Sequence, residues 1–389
     1  MSFLLLNPIQ KKMKILTNIR FAQTAGIAQV ALSFLDFVEN RKNNDANVVA
    51  VNIANKNKKS YRKTSNKKTS TISIGTRIPN IAKVIKNTKT LDQVQKRYKN
   101  IINIYQEAIK KEKPDIILIN GTYFMPWCLL IASEKEGVPA ILHYHGVLTQ
   151  ETQNWKKRHK KIFLDMERCF DKKNLFYIFP SKITKNVVEK KVFLHKIKKC
   201  RVLQNPVPAH FFSDKKRKKK MNIGIVSRWT AVKNVRFCEK LAEYNQKRGA
   251  KFVVNIITDL YEKNKKYKKL SKIVKFHKPT SSKKLASFYR NMGVVISPSH
   301  FETYGNVAKE AIASGTPAMV NPNMGVSETF KKLGLKDWII NFDSVKSVYK
   351  KIEDVANQTV NNNVKEKIKK LYAPHKIFNE LLSILDNAV

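Results

Sequence analysis

Two glutamates, Glu302 and Glu310, stand eight positions apart in the stretch HFETYGNVAKEAIASGTPAMV (300–320), with Gly305 between them. Carboxylates are acceptor-only groups suited to the vicinal hydroxyls of a sugar. The residues between them read as the start of a helix, which leaves the amides of Gly305, Asn306 and Val307 as free donors. Such an end attracts anions through its amides and its dipole. Arg228 and Lys233, in SRWTAVKN (227–234), supply full positive charge from another loop and suit the same phosphates. Hydroxyl acceptors flanking a diphosphate cradle describe a pocket for a nucleotide sugar.

These side chains need a scaffold that brings distant loops together. Short apolar runs at 13–19, 46–53, 114–121, 138–146, 175–181 and 200–206 read as buried strands, with helical periodicity between several of them. The segment 55–77 is rich in Lys, Asn, Ser and Thr and reads as a long polar loop, and 91–112 as a basic amphipathic helix. KKRKKK (215–220) marks a domain junction, after which the pattern restarts with strands at 221–228, 251–259, 293–299 and 316–320. The tail from about Ser344 to Leu385 reads as helical. Strands alternating with helices predict an α/β fold of two Rossmann-like halves with parallel sheets. Ligands of such sheets sit beyond the carboxyl ends of the strands, and a cleft between two halves is the expected site. Gly26, Asn120–Thr122, His145, Gly146, Arg228, Lys233 and the HFETYGN loop all fall on that edge.

The chain has 389 residues, with 76 Lys plus Arg against 29 Asp plus Glu, a net charge of +47. An anionic partner accounts for such a balance, and so does a compositional bias towards lysine. WKKRHKK (155–161) is either a solvated helix face or a patch for anionic headgroups with Trp155 at the interface. The basic runs lack interleaved aromatics and any known nucleic-acid motif, so no nucleic acid is expected. Four cysteines, none in C-x-x-C spacing, fit a reducing compartment and no zinc site. No apolar run is long enough to span a membrane, and the order of charge and apolarity at MSFLLLNPIQKKMK is wrong for a secretory signal. The expectation is a cytoplasmic protein, peripheral on a membrane if the basic patch binds lipid. No D-x-D cluster is present to hold a metal.

The second half resembles the retaining GT-B glycosyltransferases of family 4, the group 1 transferases. The family's E-x7-E is Glu302 to Glu310, its A-x-G-x-P is ASGTP (313–317), and its G-G-x-x-E turn is similar to MGVSE (324–328). SRWTAVKN resembles the loop that grips the diphosphate, YHG (144–146) the acceptor-side histidine segment, and TAGIAQVALSFL (24–35) the opening turn and helix. Three departures stand out: Ala25 and Thr303 replace glycines, and the strand ending ITD (257–259) lacks a glycine before the aspartate.

The resemblance implies two Rossmann-like domains facing each other across a cleft. An acceptor-side domain would span 13–207 and a nucleotide-sugar domain 220–371, with the segment 372–389 packing back on the first. It implies a hexosyltransferase-type enzyme that moves a sugar from a nucleotide diphosphate sugar to a glycan or lipid-linked acceptor. The anomeric configuration would be retained, in polysaccharide or glycolipid biosynthesis, with no metal or other cofactor. His145, Glu302, Arg228 and Lys233 would be catalytic. Gly26, Arg228, Lys233, Glu302, Thr303, Tyr304, Gly305, Asn306, Val307 and Glu310 would bind the donor. A nucleic-acid-binding protein, a non-catalytic GT-B scaffold, and an inverting transferase or epimerase are the alternatives.

Overall fold

The computed structural model describes residues 12–20, 26–43, 45–212, 221–260, 262 and 264–388. Ala25 and the KKRKKK run lie outside them. The first half runs β1 (Met13–Ile19), α1 (Gly26–Asn40), β2 (Ala46–Asn55), β3 (Ser60–Ser65), β4 (Thr69–Thr76), α2 (Ile81–Asn87) and α3 (Leu91–Glu112). It continues with β5 (Ile116–Asn120), α4 (Phe124–Glu136), β6 (Ala140–His143), α5 (Leu148–Glu151), α6 (Lys157–Arg168), β7 (Phe176–Phe179), α7 (Lys182–Val188) and β8 (Cys200–Val202). These strands form one sheet of order β3-β4-β2-β1-β5-β6-β7-β8.

The second half runs β9 (Asn222–Val226), α8 (Val235–Lys247), β10 (Val253–Ile257), α9 (Lys265–Leu270), β11 (Lys275–His277), α10 (Ser282–Arg290) and β12 (Val294–Ser297). After these come α11 (Asn306–Ala313), β13 (Ala318–Val320), α12 (Val326–Lys332), α13 (Val345–Ala356), α14 (Asn362–Tyr372) and α15 (Pro374–Asp386). Its sheet has the order β11-β10-β9-β12-β13. All pairings are parallel except that of β3 with β4.

The central strands β5 and β12 are buried along their whole length and apolar up to their last residue because helices cover both faces of their sheets. Local punctuation sets the helix ends. Thr90 caps α3, whose chain leaves through Lys113 in the left-handed region (φ 46) just before Pro114. α4 stops at Gly137 with φ 67, the usual left-handed helix exit.

The polar segment 55–77 is not a loop. It is the β3–β4 hairpin, with Asn66 N donating to Thr69 O at 2.8 Å across the turn. β3 is exposed throughout and so shows no alternation of apolar residues. Its turn is fixed from a distance: the Glu39 carboxylate, on α1, accepts the amides of Lys67, Lys68 and Thr69 at 2.9–3.1 Å. Arg62 and Lys63 on this edge strand discourage further strand pairing.

The C-terminal helix returns to the first half. Phe378 of α15 is buried between Phe34 and Phe37 of α1, both ring centroids 5.5 Å away. The chain therefore connects the two halves twice, after β8 and again through this docked helix. Truncation of a buried phenylalanine removes its contacts and leaves a cavity, at a cost of about 3–5 kcal/mol. Phe378→Ala is expected to lower the unfolding free energy, read from denaturant melts, by that amount. A variant within about 1 kcal/mol of the parent would show that the α1–α15 contact does not hold the helix.

Candidate active site

The loop leaving β12 carries the first glutamate. Ser299 Oγ donates to Glu302 Oε1 at 2.7 Å, and Lys233 Nζ lies 3.1 Å from the same oxygen. Lys233 comes from the loop after β9, so the ion pair ties the carboxyl ends of two adjacent strands together. The backbone continues the support, with Gly325 N donating to Glu302 O at 3.0 Å.

Gly305 comes next, with φ 105, and a Cβ there would meet Met324 Cε at 2.8 Å and Val326 Cγ1 at 3.0 Å. Both the backbone angle and the space demand glycine. α11 begins at once, with no side chain capping its first turn. Opposite, α1 begins at Gly26, and a Cβ on Gly26 would lie 3.4 Å from Asn306 Nδ2. The N-termini of two helices thus meet in the cleft, one from each sheet, and both favour an anion there.

Glu310 lies on the second turn of α11. It is half-buried and accepts from Tyr289 OH at 3.2 Å. Burial pushes its carboxyl up to about 7, against the opposing pull of Tyr289 and Lys309. Lys309 itself is wholly buried. Its ammonium donates to Asn205 O and lies 4.3 Å from the Tyr304 ring and 4.4 Å from the Tyr372 ring. Burial holds its pKa well below the ordinary lysine value.

His145 follows β6. Its Nε2 is 3.3 Å from Asn120 Oδ1, and Asn120 Nδ2 donates to Thr17 Oγ1 at 2.8 Å. A chain of polar groups across three strand ends therefore orients the ring. Burial lowers its pKa to about 4, so the imidazole is neutral at neutral pH and serves as a hydrogen-bonding group rather than a cation.

Arg228 is exposed, and its backbone carbonyl accepts from Thr230 N at 3.0 Å. Its charge, with that of Arg20, acts on Tyr123, whose hydroxyl is pushed up to about 12 by burial and by Glu151. Arg228 therefore faces the first half across the cleft. Tyr304 does not: its ring is buried and its hydroxyl is 2.9 Å from Thr329 Oγ1, so only its backbone borders the cleft. Val307 packs partly against the core.

Thr303 is a cross-cleft latch. Its Oγ1 donates to His145 O at 2.9 Å, while its own carbonyl accepts from Ser181 Oγ and Thr184 Oγ1, both at 2.8 Å. Beside it, Glu328 accepts the amides of Lys182 and Ile183 at 3.1 and 2.7 Å. The sequence places Thr303 among the donor-binding residues and Asn120 on the site edge, as a polar residue at the end of an apolar strand, but carries no signal for Ser181, Thr184 or Lys309.

Residues 76–211 match the family model for Glycosyltransferase Family 4, and residues 207–371 match that for Glycosyl transferases group 1. The fold superposes on sucrose-phosphate synthase from Thermosynechococcus elongatus with a TM-score of 0.75, over 97% of this chain and 99% of that one. These are the two halves of a GT-B glycosyltransferase. At 13% identity the structural likeness is one of fold.

Among curated relatives, the transferase is 30% identical over 103 residues to the capsular polysaccharide biosynthesis glycosyltransferase CapM of Staphylococcus aureus. That match spans 25% of this chain and 27% of the relative. A protein of Klebsiella pneumoniae, an uncharacterized 41.2 kDa protein in the cps region, is 24% identical over 62% of this chain and 69% of its own length.

Two predictions follow from the geometry of the transferase. Thr303→Val removes one hydroxyl donor and leaves the His145 carbonyl unpaired. Nucleotide-sugar affinity should fall about 3- to 10-fold, the worth of one hydrogen bond of about 0.5–1.5 kcal/mol. Unchanged affinity by calorimetry would show that the latch does not set the closed cleft.

The second concerns pH. If Glu310 accepts from the hydroxyls of the donor, only its ionised form does so, and below its raised pKa binding must first remove a proton. Affinity for a nucleotide sugar, whose phosphates do not titrate in this range, should rise about tenfold per pH unit up to about pH 7 and then level off. Glu310→Gln should flatten the profile, and a sloped profile in that variant would assign the proton elsewhere.

Proposed function

We propose that this transferase moves a hexosyl unit from a nucleoside diphosphate sugar to a glycan or lipid-linked acceptor, with retention at the anomeric carbon. The observation that carries the reading is the meeting of the α1 and α11 N-termini beside Arg228 and Lys233, with Glu310 one turn farther along α11. The diphosphate lies at the helix ends, and the two cations take the charge that develops on it as the glycosidic bond breaks. The fixed dipoles need no rearrangement at that moment, the usual source of electrostatic catalysis. Glu310 holds the ribose. Glu302, aligned by Ser299 and Lys233, borders the sugar ring, and the neutral His145 positions the donor from the other half. The charge balance is met by groups of the chain, with no metal invoked.

The resemblance to a capsular polysaccharide glycosyltransferase supports a role in cell-surface polysaccharide assembly. The membrane form of the acceptor is favoured by Trp155, which is exposed beside the basic first turn of α6.

The test is product stereochemistry. The full chain is incubated with UDP-, GDP- and ADP-hexoses and a panel of saccharide acceptors, and the anomeric signal of the product is read by NMR before mutarotation. The product should carry the configuration of the donor. An inverted product would refute retention, and turnover of no nucleotide sugar would refute the reading as a whole.

A further inference from the structure

A second cavity, of about 820 Å³, opens between the two halves on a wall that the mechanism does not use. It takes no residue from the segment after β8 or from α15. Two of its lining residues are chain neighbours of site residues: Asn234 follows Lys233, and Phe301 precedes Glu302. Three of its lining side chains are cations, each from a separate element. Lys191 lies on the helical turn after α7, Arg236 on α8 and Lys266 on α9. Lys266 also pairs with Glu239 at 2.7 Å, whereas no Asp or Glu lines the cavity. Between the cations stand carboxamides, among them Gln150, Asn154 and Asn323.

That chemistry differs from the diphosphate cradle. Carboxamides both donate and accept, which suits ring hydroxyls. Cations contributed by both halves give the space a positive potential that belongs to the cavity rather than to one lysine-rich helix. A neutral saccharide would leave these charges unanswered, and the donor phosphates are already met by Arg228 and Lys233. We propose that this cavity is the acceptor subsite and that it takes an anionic saccharide, a sugar bearing a carboxylate or a phosphate. The assignment rests on the transferase reading above.

The experiment uses the full chain with its preferred nucleoside diphosphate held at saturation, so that the cradle is filled. Methyl glucuronide, glucose 6-phosphate and methyl glucoside are titrated separately and binding is read by calorimetry. At low salt at least one charged probe should bind roughly tenfold tighter than the neutral one, and raised salt should shrink the difference. Preference for the glucuronide alone, the phosphate alone or both supports the proposal and identifies the anion. A Lys191→Gln/Arg236→Gln double variant, both positions exposed, should lose the preference with nucleotide affinity unchanged. Equal binding of all probes, binding of none, or a preference that survives in the double variant would overturn it. If nucleotide sugars bind and turn over while the charge preference is absent, only the acceptor assignment fails. If no nucleotide sugar binds, the transferase reading fails first.

Discussion

One loop, residues 301–306, must be held from both sides at once, and the architecture of the site depends on that constraint. From its own half the loop is gripped by Ser299, Lys233 and the backbone of Gly325 and Val326. From the other half it is gripped by the His145 carbonyl and the hydroxyls of Ser181 and Thr184. A loop pinned in this way has little freedom left to lose when a ligand binds. Preorganisation of that kind lets hydrogen bonds act on the transition state rather than on ordering the protein.

The same constraint reaches the segment after β8. Lys309 sits one turn beyond the loop and is buried between the rings of Tyr304 and Tyr372, against the carbonyl of Asn205. Asn205 Nδ2 in turn donates to Asn306 Oδ1 at 3.0 Å. One buried side chain therefore touches the donor loop, the segment joining the halves and the end of α14. Removing an amine from water is costly, and Lys309 meets that cost with a carbonyl and two ring faces. Any swing of one half against the other must break these contacts or carry α11 along with it.

Much of this was legible in the sequence because buried parallel strands write themselves as unbroken apolar runs. PDIILING and GVVISPS mark β5 and β12 in this way, MKILTNI marks β1 by a shorter apolar stretch, and the glycines and polar residues after them mark the edge of the candidate site. The E-x7-E spacing and the Arg228–Lys233 loop were equally plain. The β3–β4 hairpin was not, since β3 is exposed and its turn is held by Glu39, some thirty residues away in the chain. Nor were the cross-cleft partners of Thr303. A serine and a threonine at the start of α7 look like any helix cap until the fold brings them to the opposite half. The charge state of Glu310 and His145 also lies beyond sequence, because it follows from burial rather than residue type.

The central claim is that the meeting point of the α1 and α11 N-termini is a diphosphate site served by Lys233 and Arg228. Calorimetric titration of UDP, GDP and ADP into the parent chain and into Lys233→Ala and Arg228→Ala variants, with and without a chelator, tests it most directly. The account predicts that one nucleotide binds, that each variant weakens it by about tenfold or more as a lost charge-assisted bond requires, and that the chelator changes nothing. Equal binding by parent and variants, or no binding by the parent, would contradict it.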